Sequence, residues 1–283
     1  MKEYKPSYEI EEIYENTYKI ADHGLGMGKV YMYLLVGSEK ALLFDSGYGL
    51  LDLKTIVATV TDKPCICVCS HGHLDHALGA CQFEEAYIHS SDFDVYTQHT
   101  SSELITTFAM SGLLFKPPKW IRNNPSYQKL VTQMVQKEYA PLRAIDDISS
   151  FDLGGRIITW RSVVGHTKGT ISLVDENHNT VFDADAGAPG AWLFLPESSP
   201  LSKYKIELEK YRDFMHEKGI TRRFVGHSGK PLGEKYIDNL IRCVDISIAK
   251  PKKGIKVKSV LGDVRIVFAG GSLIFCRRNG GDL

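Results

Sequence analysis

The chain has 283 residues, 43% of them hydrophobic, enough to bury a large core in one layered domain spanning residues 1–283. Lysine plus arginine and aspartate plus glutamate number 34 each, so no bulk charge draws the chain to nucleic acid. No apolar run approaches the roughly 18–20 residues of a membrane span, and the charged opening MKEYKPSYEIEEIYEN lacks a signal-peptide core. The expectation is a cytoplasmic protein that acts on a small molecule, with no nucleic-acid or membrane partner.

In chain order, Ile20 to Asp45 predicts strands around the glycine turn His23–Gly28, and Leu51 to Val60 a short helix. That turn could flank a site, but it is a weak phosphate cradle because no helix follows it. Pro64 to Ser70 (PCICVCS) alternates like a short buried strand. His71, His73, Asp75 and His76 follow at once, four potential metal ligands within six positions. Imidazole and carboxylate are the side chains that hold zinc and neighbouring divalent cations. His71 and His73 lie two apart on an extended segment and can point the same way. Asp75 and His76 fall in the first turn of a helix beginning at Leu74, where a carboxylate is favoured by the helix dipole. Two ligands on the strand end and two on the helix can diverge toward two cations.

Thr100-Ser101-Ser102-Glu103 is a capping-box pattern that opens a helix. An apolar stretch, Phe108 to Trp120, comes next, then a helix from about Pro125 to Tyr139 capped by Asn124. This insert, about 100–147, reads as a lid over the site; packing on the body or a homodimer interface is the competing reading.

In the second half, strands near Arg156–Val163, Thr170–Asp175 and Thr180–Asp183 precede an apolar loop, Ala191–Pro196. Helices are expected at Ser202–Lys218 and about Glu234–Ala249, with a strand at Arg223–Val225 between them. Lys256 to Arg277 alternates like a hairpin turned at Gly262-Asp263; its lysines, with those at 250–253, read as edge protection. Three more fragments place acidic or imidazole groups at strand ends: Gly165-His166-Thr167-Lys168-Gly169, Phe182-Asp183-Ala184-Asp185-Ala186-Gly187 and Gly226-His227-Ser228-Gly229. Cys65, Cys67 and Cys69 alternate along one strand, Cys81, Cys243 and Cys276 are isolated, and no Cys-x-x-Cys occurs. Free buried thiols are expected.

These motifs together resemble the metallo-β-lactamase-fold superfamily of metallohydrolases: HGHLDH at 71–76, GHTKG at 165–169, FDADAG at 182–187 and GHSG at 226–229, with LLFDSGYG at 42–49 as the first motif. The resemblance implies an α/β fold, a four-layer αββα sandwich with metals at one edge between the sheets. It implies one metal on His71, His73 and His166, a second on Asp75, His76 and His227, and Asp185 bridging them. Asp183 competes for the bridge; Asp185 is preferred because the family's Gly-Asp dipeptide aligns with Ala184-Asp185. Asp45 would orient ligands without binding metal. Alanine at 184 and lysine at 168 depart from the family's usual glycine and proline.

The ligand set implies two divalent ions, zinc first, with iron or manganese as alternatives. Two cations bring a bridging water's pKa toward neutrality, and the resulting metal-bridging hydroxide would attack a carbonyl-like centre. Asp75 is the expected catalytic group, orienting the nucleophile and passing its proton. The apolar residues of the insert favour an ester, thioester, lactone or amide of a small molecule. A phosphodiesterase or sulfatase of the same fold, and an iron-dependent oxidoreductase resembling persulfide dioxygenases, are the alternatives.

Overall fold

The computed structural model describes residues 2–26 and 28–277; Met27 of the predicted glycine turn lies outside the described residues. The chain groups into two compact units, Met1–Ile157 and Ile158–Leu283.

The first unit comprises β1 (Tyr8–Tyr14), β2 (Thr17–Asp22), β3 (Val30–Val36), β4 (Ala41–Phe44), α1 (Leu53–Ala58), β5 (Cys65–Val68), α2 (Leu74–Ala77), β6 (Ala86–Ile88), α3 (Phe93–His99), α4 (Ser102–Ser111), α5 (Lys119–Arg122), α6 (Pro125–Gln136), β7 (Arg143–Ala144) and β8 (Ser150–Asp152). Its sheet runs β1-β2-β3-β4-β5-β6-β7. The first four strands pair antiparallel through short turns. From β4 onward pairing is parallel, because α1 and the later helices carry the chain back across the sheet. Parallel strands deliver their carboxyl ends to one edge, where open α/β sheets place their chemistry. Asp45 follows β4 there, and the 71–76 motif follows β5. The sequence reading did not anticipate β1. It is an edge strand with mostly exposed residues, so it lacks the buried alternation that marks an inner strand.

Ser101 caps α4 by accepting the Leu104 N–H at 3.3 Å, and Asn124 caps α6 by accepting the Ser126 N–H at 3.0 Å. Ile105, Ala109, Ile121, Tyr127, Val131 and Met134 from these helices cluster with Tyr48, Leu74 and Leu78 of the body. The insert is thus packed onto its own unit, directly over α2. Phe115 and Trp120 stay outside that cluster, 59% and 67% exposed.

The second unit comprises β9 (Ile157–Ser162), which begins at the unit boundary, β10 (Ile171–Asp175), β11 (Thr180–Ala184), β12 (Gly190–Leu193), α7 (Leu201–Glu217), β13 (Arg222–Val225), α8 (Lys235–Ala249), β14 (Ile255–Ser259), β15 (Gly262–Ala269) and β16 (Ser272–Arg277). One sheet runs β13-β11-β10-β9 and another β12-β16-β15-β14. Tyr204, Leu208, Tyr211 and Met215 of α7 and Ile237, Leu240, Ile241 and Val244 of α8 share one apolar core with Val174, Val181, Leu193, Val267 and Ile274 of the strands. Two expectations are corrected here. The first half of the supposed loop Ala191–Pro196 is strand: Ala191–Leu193 lie in β12, which pairs parallel with β16. The C-terminal hairpin is three strands, with turns at Val260-Leu261 and at Gly270-Gly271. Alternation identifies strands but does not locate a turn inside a long alternating run. Among the described residues no helix is long and apolar enough to cross a membrane.

β11 ends irregularly. Its register against β13 shifts between Phe182 and Ala184, and Ala184 has φ +44°. This left-handed conformation suits glycine and costs an alanine roughly 1–2 kcal/mol. Ala184→Gly is therefore expected to stabilise the protein by about 0.5–1 kcal/mol, the relief of strain being partly offset by a freer unfolded chain. Denaturant unfolding of the two proteins side by side measures it; an unchanged or lower midpoint would contradict the strain.

Candidate metal centre

In the first unit the donors are built from the end of β5 outward. Asp45 sits at φ +64°, a conformation aspartate tolerates better than most residues. Its Oδ1 accepts the Ser70 N–H at 2.7 Å and its Oδ2 contacts His76 Nδ1 at 2.8 Å. Both residues are buried. A carboxylate partner places the imidazole proton on Nδ1, leaving the Nε2 lone pair of His76 for other work. The His76 carbonyl accepts both the backbone N–H and the hydroxyl of Ser46, at 2.7 and 2.9 Å, so α2 is tied to the loop after β4.

Asp75 and His76 occupy the first turn of α2, and Asp75 Oδ2 lies 3.6 Å from His76 Nε2. His73 is the N-cap residue, with φ −71° and ψ 148°. His71 Nδ1 contacts Ser70 Oγ at 2.9 Å, and His71 Nε2 lies 3.0 Å from His73 Nδ1. The motif therefore presents two donor pairs, His71/His73 and Asp75/His76. Nearby, Asp22 is buried and accepts the N–H groups of Gly24 and Tyr48 at 2.6 and 3.1 Å. Burial, with Asp75's charge adding to it, pushes the Asp22 carboxyl up to about 6 despite those bonds.

In the second unit His166, Asp185 and His227 come together. Asp185 Oδ2 lies 3.5 Å from His166 Nε2, and its Oδ1 lies 3.4 Å from His227 Nε2. One carboxylate thus faces two different imidazoles, each with its own oxygen. His166 Nδ1 contacts the Trp192 carbonyl at 2.8 Å. A carbonyl can only accept, so the proton is on Nδ1 and Nε2 is the lone-pair nitrogen. Gly165 is required beside it, since a Cβ there would stand 2.0 Å from the Tyr204 ring. Lys168 is exposed in a turn closed by the Thr167 N–H donating to Thr170 Oγ1 at 3.0 Å.

Asp183 is committed elsewhere. It is fully buried, receives Arg223 Nε at 2.8 Å and is hydrogen-bonded by the Tyr211 hydroxyl. The same guanidinium donates to the Gly187 carbonyl at 2.9 Å, and a Cβ at Gly187 would stand 2.1 Å from it. The two aspartates of the FDADAG motif therefore have separate surroundings: one is neutralised inside, the other faces histidines.

These donors suit a divalent cation. Buried imidazole nitrogens facing each other at 3.0 Å need a proton or a cation to offset their lone pairs, and the outer partners of His76 and His166 hold Nε2 available. Groups of such histidines and carboxylates able to hold a metal ion occur among the described residues. Several contributors are not signalled by the sequence motifs: the Trp192 carbonyl, Arg223, Tyr211, Asp92 and His99. Only Arg223, the charge that opens the strand expected at Arg223–Val225, gives a local signal.

The metallo-beta-lactamase superfamily profile matches residues 25–227. Among curated proteins, the acyl-coenzyme A thioesterase MBLAC2 of Gallus gallus is 24% identical over 206 residues, 69% of this chain and 71% of that protein. The Homo sapiens protein of that name is 23% identical over 209 residues, 69% and 72% of the two chains. Among solved structures, a metallo-beta-lactamase from Pontibacter korlensis aligns with TM-score 0.57 at 13% identity, covering 82% of this chain and 96% of that one. The DIM-1 metallo-beta-lactamase aligns with TM-score 0.57 at 14% identity, covering 84% and 96%. Fold, motif order and profile agree: the chain belongs to the metallo-beta-lactamase superfamily, has its α/β sandwich fold and is a hydrolase.

Proposed function

We propose that the chain is a binuclear metal-dependent hydrolase of acyl thioesters. In this reading His71, His73 and His166 would hold one cation and Asp75, His76 and His227 a second, with Asp185 available to both. The observation that carries it is the Asp185 carboxylate, with one oxygen toward His166 and the other toward His227, at 3.5 and 3.4 Å. The two donor pairs of the 71–76 motif, His71/His73 and Asp75/His76, are the other donors on which this reading draws. Nitrogen and oxygen donors of this kind favour zinc. The thioester assignment draws support from the MBLAC2 relatives, named as acyl-coenzyme A thioesterases.

When bound, the cations supply Lewis-acid polarisation of the scissile carbonyl and bring the acidity of water into the neutral range. The protein's own groups do the rest. Asp75, 15% exposed at its side chain, is assigned the tasks of orienting the attacking water and taking its proton on Oδ. That proton passes to the departing sulfur as the C–O bond forms and the C–S bond breaks. Because a thiol's pKa lies near 8.5, its thiolate is a good leaving group that takes this one proton as the C–S bond breaks, and no further acid is required. Asp45 and the Trp192 carbonyl keep His76 and His166 in the tautomers that present Nε2.

The insert at 100–147 is proposed as a cover for the acyl group, with the exposed Phe115 and Trp120 as its contact residues. Burial of apolar substrate surface there contributes about 25 cal/mol per Å².

Protein purified without added metal is expected to carry two cations per chain by elemental analysis and to cleave acyl thioesters in preference to phosphodiesters. Absence of bound metal, or cleavage of phosphodiesters alone, would reject the reading. Asp75→Asn and Asp75→Ala are expected to lower turnover by about 100-fold or more with the fold retained by circular dichroism; near-native turnover in the alanine variant is the outcome that sinks the role given to Asp75. Phe115→Ala and Trp120→Ala should reduce activity on long acyl chains more than on short ones, with metal content unchanged. A shift in self-association at constant chain-length preference would instead mark the insert as a homodimer interface.

A further inference from the structure

His99 stands outside every motif of the family, yet it lies against the metal loop. We infer that His99 is the positioning residue for His73, and that it sets the affinity of the cation site to which His73 belongs. This rests on the metal reading above.

The buried donor histidines are oriented in different ways. His71, His76 and His166 are each held through Nδ1, by Ser70 Oγ, Asp45 Oδ2 and the Trp192 carbonyl respectively. His73 cannot be held in that way, because its Nδ1 is the atom facing His71 Nε2 at 3.0 Å. One face of its ring is supported by a neighbouring ring. The His99 imidazole stacks on it with centroids 4.5 Å apart and planes 29° apart. On another side the His71 ring meets it nearly edge-on, at 4.5 Å and 78°. A five-membered ring clamped in this way has little freedom about χ2, the torsion that decides where Nδ1 points.

His99 is itself fixed by the backbone it serves. Its Nδ1 accepts the Leu74 N–H at 3.2 Å. An amide can only donate, so Nδ1 is the lone-pair nitrogen of His99. At the other end of α3, Asp92 Oδ2 accepts the Gly72 N–H at 2.9 Å. The amides on either side of His73 are therefore both anchored to α3 or the residue preceding it. No side chain intervenes: a Cβ at Gly72 would stand 2.6 Å from the Tyr96 nitrogen. Both His99 and Asp92 are buried. The helix thus acts as a template for Gly72-His73-Leu74, and the His99 ring finishes the work at the side chain.

The test uses full-length protein stripped of metal and titrated with Zn²⁺ against a chromophoric chelator. Wild type should show two binding steps. His99→Ala should weaken one step by about 10–100-fold, the usual effect of losing a group that orients a ligand, and leave the other within about twofold. His99→Phe keeps a ring face for the stack and should restore most of the affinity. His99→Asn keeps an acceptor for the Leu74 amide but no ring, and should not. The melting temperature of each metal-free variant separates positioning from general loss of structure. Two unchanged steps in His99→Ala would overturn the inference, as would equal weakening of both steps with a collapse of the metal-free melting temperature. Rescue by asparagine and not by phenylalanine would also overturn it, by assigning the effect to the amide. Failure of wild type to bind Zn²⁺ at all would instead reject the metal reading.

Discussion

The arrangement of the first unit depends on one buried carboxylate. Asp45 reaches from the end of β4 to the Ser70 amide at the end of β5 and to the His76 ring on α2. It thereby ties together a strand end, the neighbouring strand end and the first helical turn of the metal motif. A buried carboxylate is tolerated only when it is hydrogen-bonded and matched by a partner. Here the backbone amide and imidazole provide both, while the left-handed backbone at Asp45 aims the carboxylate inward. Removing one partner of such a buried pair commonly costs about 3–5 kcal/mol, so the same contact that selects the His76 tautomer also holds the local fold.

The second unit solves a parallel problem with the opposite geometry. Two aspartates, two positions apart, leave the end of β11. Asp183 turns into the core, where Arg223 and Tyr211 satisfy it; Asp185 emerges beside His166 and His227. Strict alternation would put both on the same face. The register shift and positive φ at Ala184 interrupt that alternation, and the arginine that neutralises Asp183 also bonds the Gly187 carbonyl beyond it. Local backbone strain of this kind persists only where surrounding structure over-determines it, and here the surrounding structure is the Asp183–Arg223–Tyr211 cluster.

Across both units the imidazoles are held by unlike devices: a hydroxyl, a carboxylate, a backbone carbonyl and a stacked ring. Each removes a torsional or tautomeric freedom that cation binding would otherwise have to remove. Apolar clusters contain residues next to these donors: Leu74 beside His73, Val163 before His166, Ala186 after Asp185 and Val225 before His227. Apolar packing thus holds the backbone within a few positions of these donors in each unit.

Much of this was legible without coordinates. Four donors in six positions after a short apolar strand, the glycines around His166 and His227, and the spacing of apolar residues in α6, α7 and α8 are local signals, because helix and strand geometry act over only a few residues. The family and its fold followed from those motifs. The edge strand β1, strand β12 and the three-stranded C-terminal segment did not, since an exposed edge loses alternation and alternation does not reveal where a strand turns. The sequence by itself determined which residue types gather at strand ends and in what order. Tertiary structure alone decided that His99, 25 positions beyond Leu74, accepts its amide, and that Asp183 and Asp185 part company. The physical reason is that hydrogen bonds and ring contacts between distant segments leave no periodicity in the chain; they exist only once the sheets and helices have brought those segments together.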